Sequence, residues 1–233
     1  MENLLYHYMN KRFSAGQLSP EFHKDTGPVI TISRQAGCGA SKIAHDLCKI
    51  LNEGSGRPAK GDIWHFINHE ILETSAEKLD LDPEKLDRVV TDKERGMMDQ
   101  IVEALSSHSY KSDQKIMKTV REVIGQFAEQ GNVVIVGRGG AVVSQHIARS
   151  LHIRLESSFE WRIEQVMKKL EYSRAYATQY IRKIDEAREM YVQRMAQGLI
   201  NPSLYDVVLD PSRFSESQLI DIILHLVTIK GIR

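Results

Sequence analysis

The sequence predicts an α/β fold: a parallel sheet with helices packed on both of its faces. Short β-branched runs alternate along the chain with segments of helical period. Those runs are apolar at nearly every residue rather than every second one, as strands covered on both faces are. The unusual residues, including the glycines of GCG at 37–39 and GRGG at 137–140, stand where strands end. Ligands in such sheets bind at the carboxyl ends of strands.

Taken in order, residues 1–26 form a leader with Leu4, Leu5, Tyr8, Met9 and Phe13 at helical spacing. Gly27-Pro28 breaks any helix before PVITIS (28–33), which reads as a buried strand. The loop RQAGCGA follows, then a helix from about Ser41 with Ile43, Ala44, Leu47, Ile50 and Leu51 on its apolar face. NEGSGRPAKGD (52–62) is a surface linker by its Gly, Pro and charge. WHFI (64–67) is a short second strand, with a helix carrying Ile71, Leu72 and Leu79 after it. Residues 83–130 read as two charged helices, the second showing Ile116, Met117, Val120, Ile124 and Phe127 on one face. NVVIVG (132–137), LHIRL (151–155) and YDVVLD (205–210) are the remaining strands. Helices are expected over about 158–170 and 174–197. A last one follows the capping-box pair Ser215 and Gln218.

Composition narrows the function classes. The chain has 233 residues, with 31 Lys+Arg balanced by 31 Asp+Glu, 42% apolar residues and 27% charged. That suits one large domain, or one domain with a lobe, able to bury a core without staples. Zero net charge argues against a general nucleic-acid binder. No run approaches the roughly 18 apolar residues of a membrane span. MENLLYHYMNKRF is not a signal peptide, lacking a basic stretch followed by an apolar one. Cys38 and Cys48 do not make a disulfide framework. The expectation is a cytoplasmic protein with neither membrane nor nucleic acid as partner.

SRQAGCGASK (33–42) joins a buried strand directly to a helix. Glycines there leave room for a closely approaching ligand. The free N–H groups and positive end of the helix favour an anion, typically phosphate. A plain tight turn is the alternative. Against the pattern GxxxxGK[ST], aligned on Gly39, the lysine position holds Ala40 and the hydroxyl position holds Ser41. The next cation, Lys42, lies about 200° around the helix from Ala40. It is either a displaced phosphate ligand or a solvated helix lysine. Cys38, beside the positive helix end, is expected to have a lowered thiol pKa.

ITISRQAGCGASKIAHDL, WHFINHEILETSA, GNVVIVGRGGAVV, IDEAREMY and YDVVLD, in that order, resemble the cytidylate kinase-like family of P-loop proteins. The resemblance spans about residues 28–228. It implies the nucleoside monophosphate kinase core, a P-loop NTPase-type three-layer fold with a five-stranded parallel sheet. The division it implies is an N-terminal helical extension over 1–26 and a kinase-like domain over 27–233. The domain would carry an acceptor-side helical insert at about 68–130 and a helical lid at about 171–198. Gly37, Cys38, Gly39, Ala40, Ser41 and Lys42 would be the phosphate loop, with Ser41 available to magnesium. A small residue after GxG, here Ala40, is common in this branch. Arg34 would face the nucleotide, and Asn68 stands where many relatives carry an Asp. Arg138 lies in Gly-Arg-Gly-Gly, where true cytidylate kinases read Gly-Arg-Asp, so Gly139 removes an acidic group.

Arg182, Asp185 and Arg188 fall in the lid at i, i+3, i+6 and span about 120° of helix surface. Two guanidinium groups oriented by a carboxylate would suit a phosphoryl group in transfer. The plainer reading is a surface salt-bridge ladder. With few strongly apolar positions, 171–198 is expected to pack loosely until nucleotides bind.

Other readings are weaker. Gly137-Arg138-Gly139 would need a glycine where Val142 stands to be a dinucleotide fingerprint. His65 and His69 lack a third metal ligand, and Cys38 lacks a histidine partner. The expected function is an ATP- and Mg2+-dependent transferase phosphorylating a nucleotide, a pyrimidine nucleoside monophosphate above all. Arg138, Arg182, Asp185 and Arg188 would be its catalytic groups, and Asn68 and Arg138 its substrate contacts. The rival is a degenerate, non-catalytic nucleotide-binding regulator. The N-terminal extension is a candidate surface for a homo-oligomer.

Overall fold

Five strands form one parallel sheet in the order β2-β3-β1-β4-β5: β1 (Val29–Arg34), β2 (His65–Ile67), β3 (Val133–Val136), β4 (Ser150–Leu155) and β5 (Val207–Leu209). They are seen in a computed structural model that describes residues 27–53, 63–67, 110–197 and 202–232. The helices are α1 (Ala40–Glu53), α2 (Tyr110–Gln130), α3 (Gly140–Ser144), α4 (Phe159–Leu170), α5 (Arg174–Ala196) and α6 (Glu216–Ile229), with a 3-10 turn at Pro202–Leu204. The leader 1–26, most of the 52–62 linker, and the helices expected between residue 68 and Tyr110 lie outside the described residues.

Strand alternation sorts the core into layers. Ile30, Ile32, Val134, Val136, Leu151 and Ile153 pack with α1 and α6 on one face. Val29, Val133 and Ile135 face α2 through Val120, Ile124 and Phe127 on the other. The register sets Ile30 beside Val134 and Leu151, so the three central strands present one apolar layer. Each such side chain, once buried, contributes roughly 1.5–3 kcal/mol. Helix α6 starts as the sequence predicts, with Ser215 and Gln218 forming a complete capping box.

Four local expectations change. Ile50 is exposed, and Cys48 takes its place on the buried face of α1. Asn52 belongs to α1 rather than to a linker. Its carboxamide accepts from the Trp64 N–H at 2.8 Å and donates to the Trp64 carbonyl at 3.0 Å, tying α1 to the start of β2. The five-residue α3, unforeseen in the sequence, follows the GRGG turn directly. Segment 171–198 is not loosely packed over its described part. Helix α5 is continuous, and Ala177, Tyr180, Ile181 and Ile184 bury against Ile163 and Val166 of α4 in a third core.

Candidate functional site

The loop between β1 and α1 has two unlike halves. In the second half, Gly39 sits just ahead of α1 and its carbonyl accepts from the Lys42 and Ile43 N–H groups at 3.2 and 3.4 Å. Its φ is 71°, a left-handed conformation, and a Cβ built there would meet nothing within 4 Å. A helix start leaves its first N–H groups without intrahelical partners. Gly39 has no side chain to cap them, and the first turn of α1 has no acidic residue. The result is an uncapped, positive helix end facing open space. Ser41 is exposed in that first turn.

The first half is held tightly. The Gln35 N–H donates to the Leu155 carbonyl at 3.0 Å, and the Gln35 Oε1 accepts from the Ser157 N–H at 3.1 Å. The Ala36 N–H donates to Asp185 Oδ1 at 2.7 Å. Arg162 Nη1 donates to the Ala36 carbonyl at 3.3 Å and to Asp185 Oδ2 at 2.5 Å, while its Nε donates to the Ser157 carbonyl at 3.1 Å. Gly37 lies against the Arg162 backbone, where a Cβ would stand 3.0 Å from the Arg162 carbonyl oxygen. Arg162 is 5% exposed, so its charge depends on these partners.

Around this loop the structure distributes the sequence-predicted residues unevenly. Arg188 lies close enough for its charge to act on the Cys38 thiol. Arg34 reaches across from the end of β1 to Gly137, where a Cβ would fall on its guanidinium. That puts Arg34 beside the turn carrying Arg138. Arg182 is exposed, with its guanidinium 5.5 Å from the centre of the Phe159 ring. Lys42 is tied to Glu216 at the start of α6 and to Asp46 at 3.2 Å, so it would have to leave both carboxylates to reach a phosphate. Ala40 is buried in the core and offers the loop only its backbone. Asn68 lies outside the described residues, as does His69. His65 lies on β2, where burial lowers its pKa.

One expectation is corrected. Cys38 is 2% exposed, and burial pushes its thiol up to about 12 against the opposing pull of Arg162 and Arg188, so it is not an activated thiol. The Asp185 carboxylate is engaged by groups outside its own helix. Its two oxygens serve Ala36 and Arg162.

The GRGG turn is closed where the first loop is open. Gly139 has φ 66°, and a Cβ there would lie 2.8 Å from Met195 Cγ of α5. Arg121 of α2 donates to the Met195 carbonyl and holds that end of α5 in place. Tyr191, one turn earlier on α5, has a buried hydroxyl with no hydrogen-bond partner. Burial raises its phenol to about 12, although the Arg138 charge pulls the other way. Among the described residues no group of three or more His, Cys, Asp or Glu side chains could hold a metal ion. No helix among them is long and apolar enough to cross a membrane.

Sequence reasoning passed over Arg162, although a signal was present. In FEWRIEQV, Arg162 falls three residues after Phe159 and four before Val166, a cation on an otherwise apolar stripe.

Comparison with known proteins agrees with this architecture. The model of the cytidylate kinase-like family matches residues 29–213. A solved structure of an uncharacterized protein from Eubacterium ventriosum is similar, with TM-score 0.58 and 16% identity over 86% of this chain and 97% of that one. The shikimate kinase from Acinetobacter baumannii has TM-score 0.48 and 12% identity over 89% and 97% of the two chains. A gluconokinase from Sinorhizobium meliloti has TM-score 0.46 and 12% identity over 88% and 94%. At its identity the Eubacterium ventriosum structure speaks to the fold alone. No curated protein sequence matches the chain significantly.

Proposed function

Because the chain belongs to the cytidylate kinase-like family, we propose that it is a P-loop phosphotransferase that binds ATP at the β1–α1 loop and phosphorylates a nucleotide, a pyrimidine nucleoside monophosphate first among the candidates. The observation that carries this reading is the open start of α1 at Gly39, where a Cβ would meet nothing within 4 Å and the first turn has no acidic residue. Donor phosphates would lie against the backbone N–H groups of Gly39, Ala40 and Ser41. Arg34, Arg138 and Arg188 supply positive charge around the strand ends, which stabilises phosphates brought into line. Magnesium, when bound with the nucleotide, neutralises part of the phosphate charge, and the exposed Ser41 hydroxyl is the side chain here able to contribute an oxygen. The lid segment, about 171–198, would carry Arg182 and Arg188 beside the transferring phosphoryl group. Asn68, next after β2, would contact the acceptor.

The second reading, a nucleotide-binding regulator without turnover, is favoured by one specific observation. The loop has no lysine of its own: Ala40 is buried, and Lys42 is engaged by Asp46 and Glu216.

A thermal-shift panel of nucleotides with and without magnesium, followed by a coupled phosphotransfer assay on the stabilising pairs, separates the two. A bound nucleotide raises apparent stability by mass action. The kinase reading expects ATP stabilisation and turnover with a nucleoside monophosphate. ATP stabilisation without turnover on any acceptor selects the regulator. No stabilisation by any nucleotide, with Gly39→Val behaving as wild type, removes both.

A further inference from the structure

We propose that Arg162 and Asp185 form a clasp that sets the shape of the phosphate loop from outside it, so that both act as positioning residues for the bound phosphates and α5 moves with the loop rather than as a cover hinged away from it. The inference deepens the reading of the β1–α1 loop as a nucleotide site and rests on it for the binding readout. The observations come from three separate elements. Asp185 on α5 divides its carboxylate, one oxygen accepting the Ala36 N–H at 2.7 Å and the other the Arg162 guanidinium at 2.5 Å. Arg162 on α4 closes the ring by donating to the Ala36 carbonyl at 3.3 Å. Ala36 therefore has both its N–H and its C=O held by side chains more than 100 positions away in sequence. Gly37 follows, with a φ of 89° and packed so that a Cβ would stand 3.0 Å from the Arg162 carbonyl oxygen.

The chemistry favours a mechanical role. A 5%-exposed guanidinium cannot leave its carboxylate for a nucleotide without stranding a buried charge. A carboxylate already accepting two charge-assisted or backbone hydrogen bonds is a poor contact for a phosphate, since it would add negative charge beside negative charge. What the pair can do is hold residues 36–37 so that the next residues, Cys38 to Ser41, present their N–H groups outward. Misplacing a positioned group by a fraction of an ångström can cost an order of magnitude or more.

The test uses the full-length protein, its amides assigned by NMR, and ADP as the probe. Asp185→Asn keeps the shape and the Ala36 acceptor but weakens the pairing with Arg162. Arg162→Lys keeps the charge but loses the fork that reaches Ala36 and Asp185 together. In the nucleotide-free protein, the clasp expects the Ala36 and Gly37 amides to shift and exchange faster in both variants, while amides of β4 stay as in wild type. ADP binding is expected to weaken by about tenfold or more in both, as for a misplaced binding group, with Arg162→Met worse than Arg162→Lys. Unchanged Ala36 and Gly37 amides in Asp185→Asn would overturn the clasp, whatever happens to binding. Altered amides with wild-type ADP affinity would also overturn it, reducing the pair to a structural tie. Lost phosphotransfer with unchanged amides and unchanged ADP affinity would make Asp185 a group acting on the reacting atoms instead. If wild-type protein binds no nucleotide, the proposed function fails, and the amide readout still decides the clasp alone.

Discussion

Two glycine turns in this molecule look alike in sequence and differ in what surrounds them. Gly39 and Gly139 each stand just before a helix at the carboxyl end of a central strand, with φ of 71° and 66°. Around Gly39 there is open space, whereas Gly139 is closed by Met195 from the far end of α5. The local backbone does not make a ligand site; what packs on it decides. The first loop is pinned on one side by Arg162 and Asp185 and left free on the other. The second is plugged, and the acidic residue of true cytidylate kinases has no room beside Gly139 unless Met195 moves.

The largest contrast is one of reactivity, and it sharpens what openness at the first loop means. The thiol nearest the opening does not share it: Cys38, beside Gly39, is buried and its pKa is raised to about 12. An ordinary cysteine with a pKa of about 8.5 has a substantial thiolate fraction at pH 8, whereas a thiol this far raised has about one part in ten thousand. Iodoacetamide at pH 8, followed by peptide mass analysis, should therefore label Cys38 about a thousandfold more slowly in native protein than in urea. Rapid native labelling would mean that the loop opens as a whole and that the contrast between its halves is false.

The next contrast is in stability. Gly139→Ala places a methyl against Met195 and an alanine in left-handed backbone. The conformational cost is about 1–2 kcal/mol, and overpacking adds about 1–3 kcal/mol. Urea denaturation should show that total loss, and in a double-mutant cycle Gly139→Ala should cost less in a Met195→Ala background, by the packing part. Gly39→Ala carries only the conformational cost, about 1–2 kcal/mol, because its Cβ meets nothing. Its larger effect should fall on nucleotide affinity, measured by calorimetry. Equal stability losses at the two glycines would break the comparison.

The sheet was legible because its strands are runs of Val and Ile bounded by glycine, and such runs have few alternatives. VITIS, VVIV and LHIRL all appear where periodicity puts them, and the Ser215–Gln218 pair caps α6 through contacts only three residues apart. Five parallel strands and the family both follow from those blocks and their order. The site was legible only as a location. That Asp185 serves Ala36 depends on two segments 149 positions apart meeting. No helical spacing encodes that, and the i, i+3, i+6 pattern of Arg182, Asp185 and Arg188 suggested a different partner. The thiol of Cys38 was misjudged for the same reason: the helix end nearby was visible in sequence, but the burial that outweighs it was not. Lys42 could be read either way until Glu216, 174 positions on, appeared beside it.

The smallest expected effect tests whether the second turn is as dry as its packing implies. Tyr191 contributes its ring to the core around Ile135 and Met195, and its hydroxyl is buried without a partner. A hydroxyl buried in that way costs about 1–3 kcal/mol relative to its hydrated state. Tyr191→Phe removes the oxygen and keeps the ring, so stability should hold or rise by about 1 kcal/mol. For a chain of this size that is an increase of roughly 2–4 °C in Tm, readable by differential scanning calorimetry. Affinity for a nucleoside monophosphate should not change, because the buried Tyr191 hydroxyl, unlike Arg138 of the turn itself, would not face the ligand. Suppose instead that Tyr191→Phe leaves Tm unchanged and weakens monophosphate binding tenfold. The hydroxyl would then be an acceptor-site donor, Met195 would have to withdraw when substrate enters, and the two glycine turns would differ only while the protein is empty.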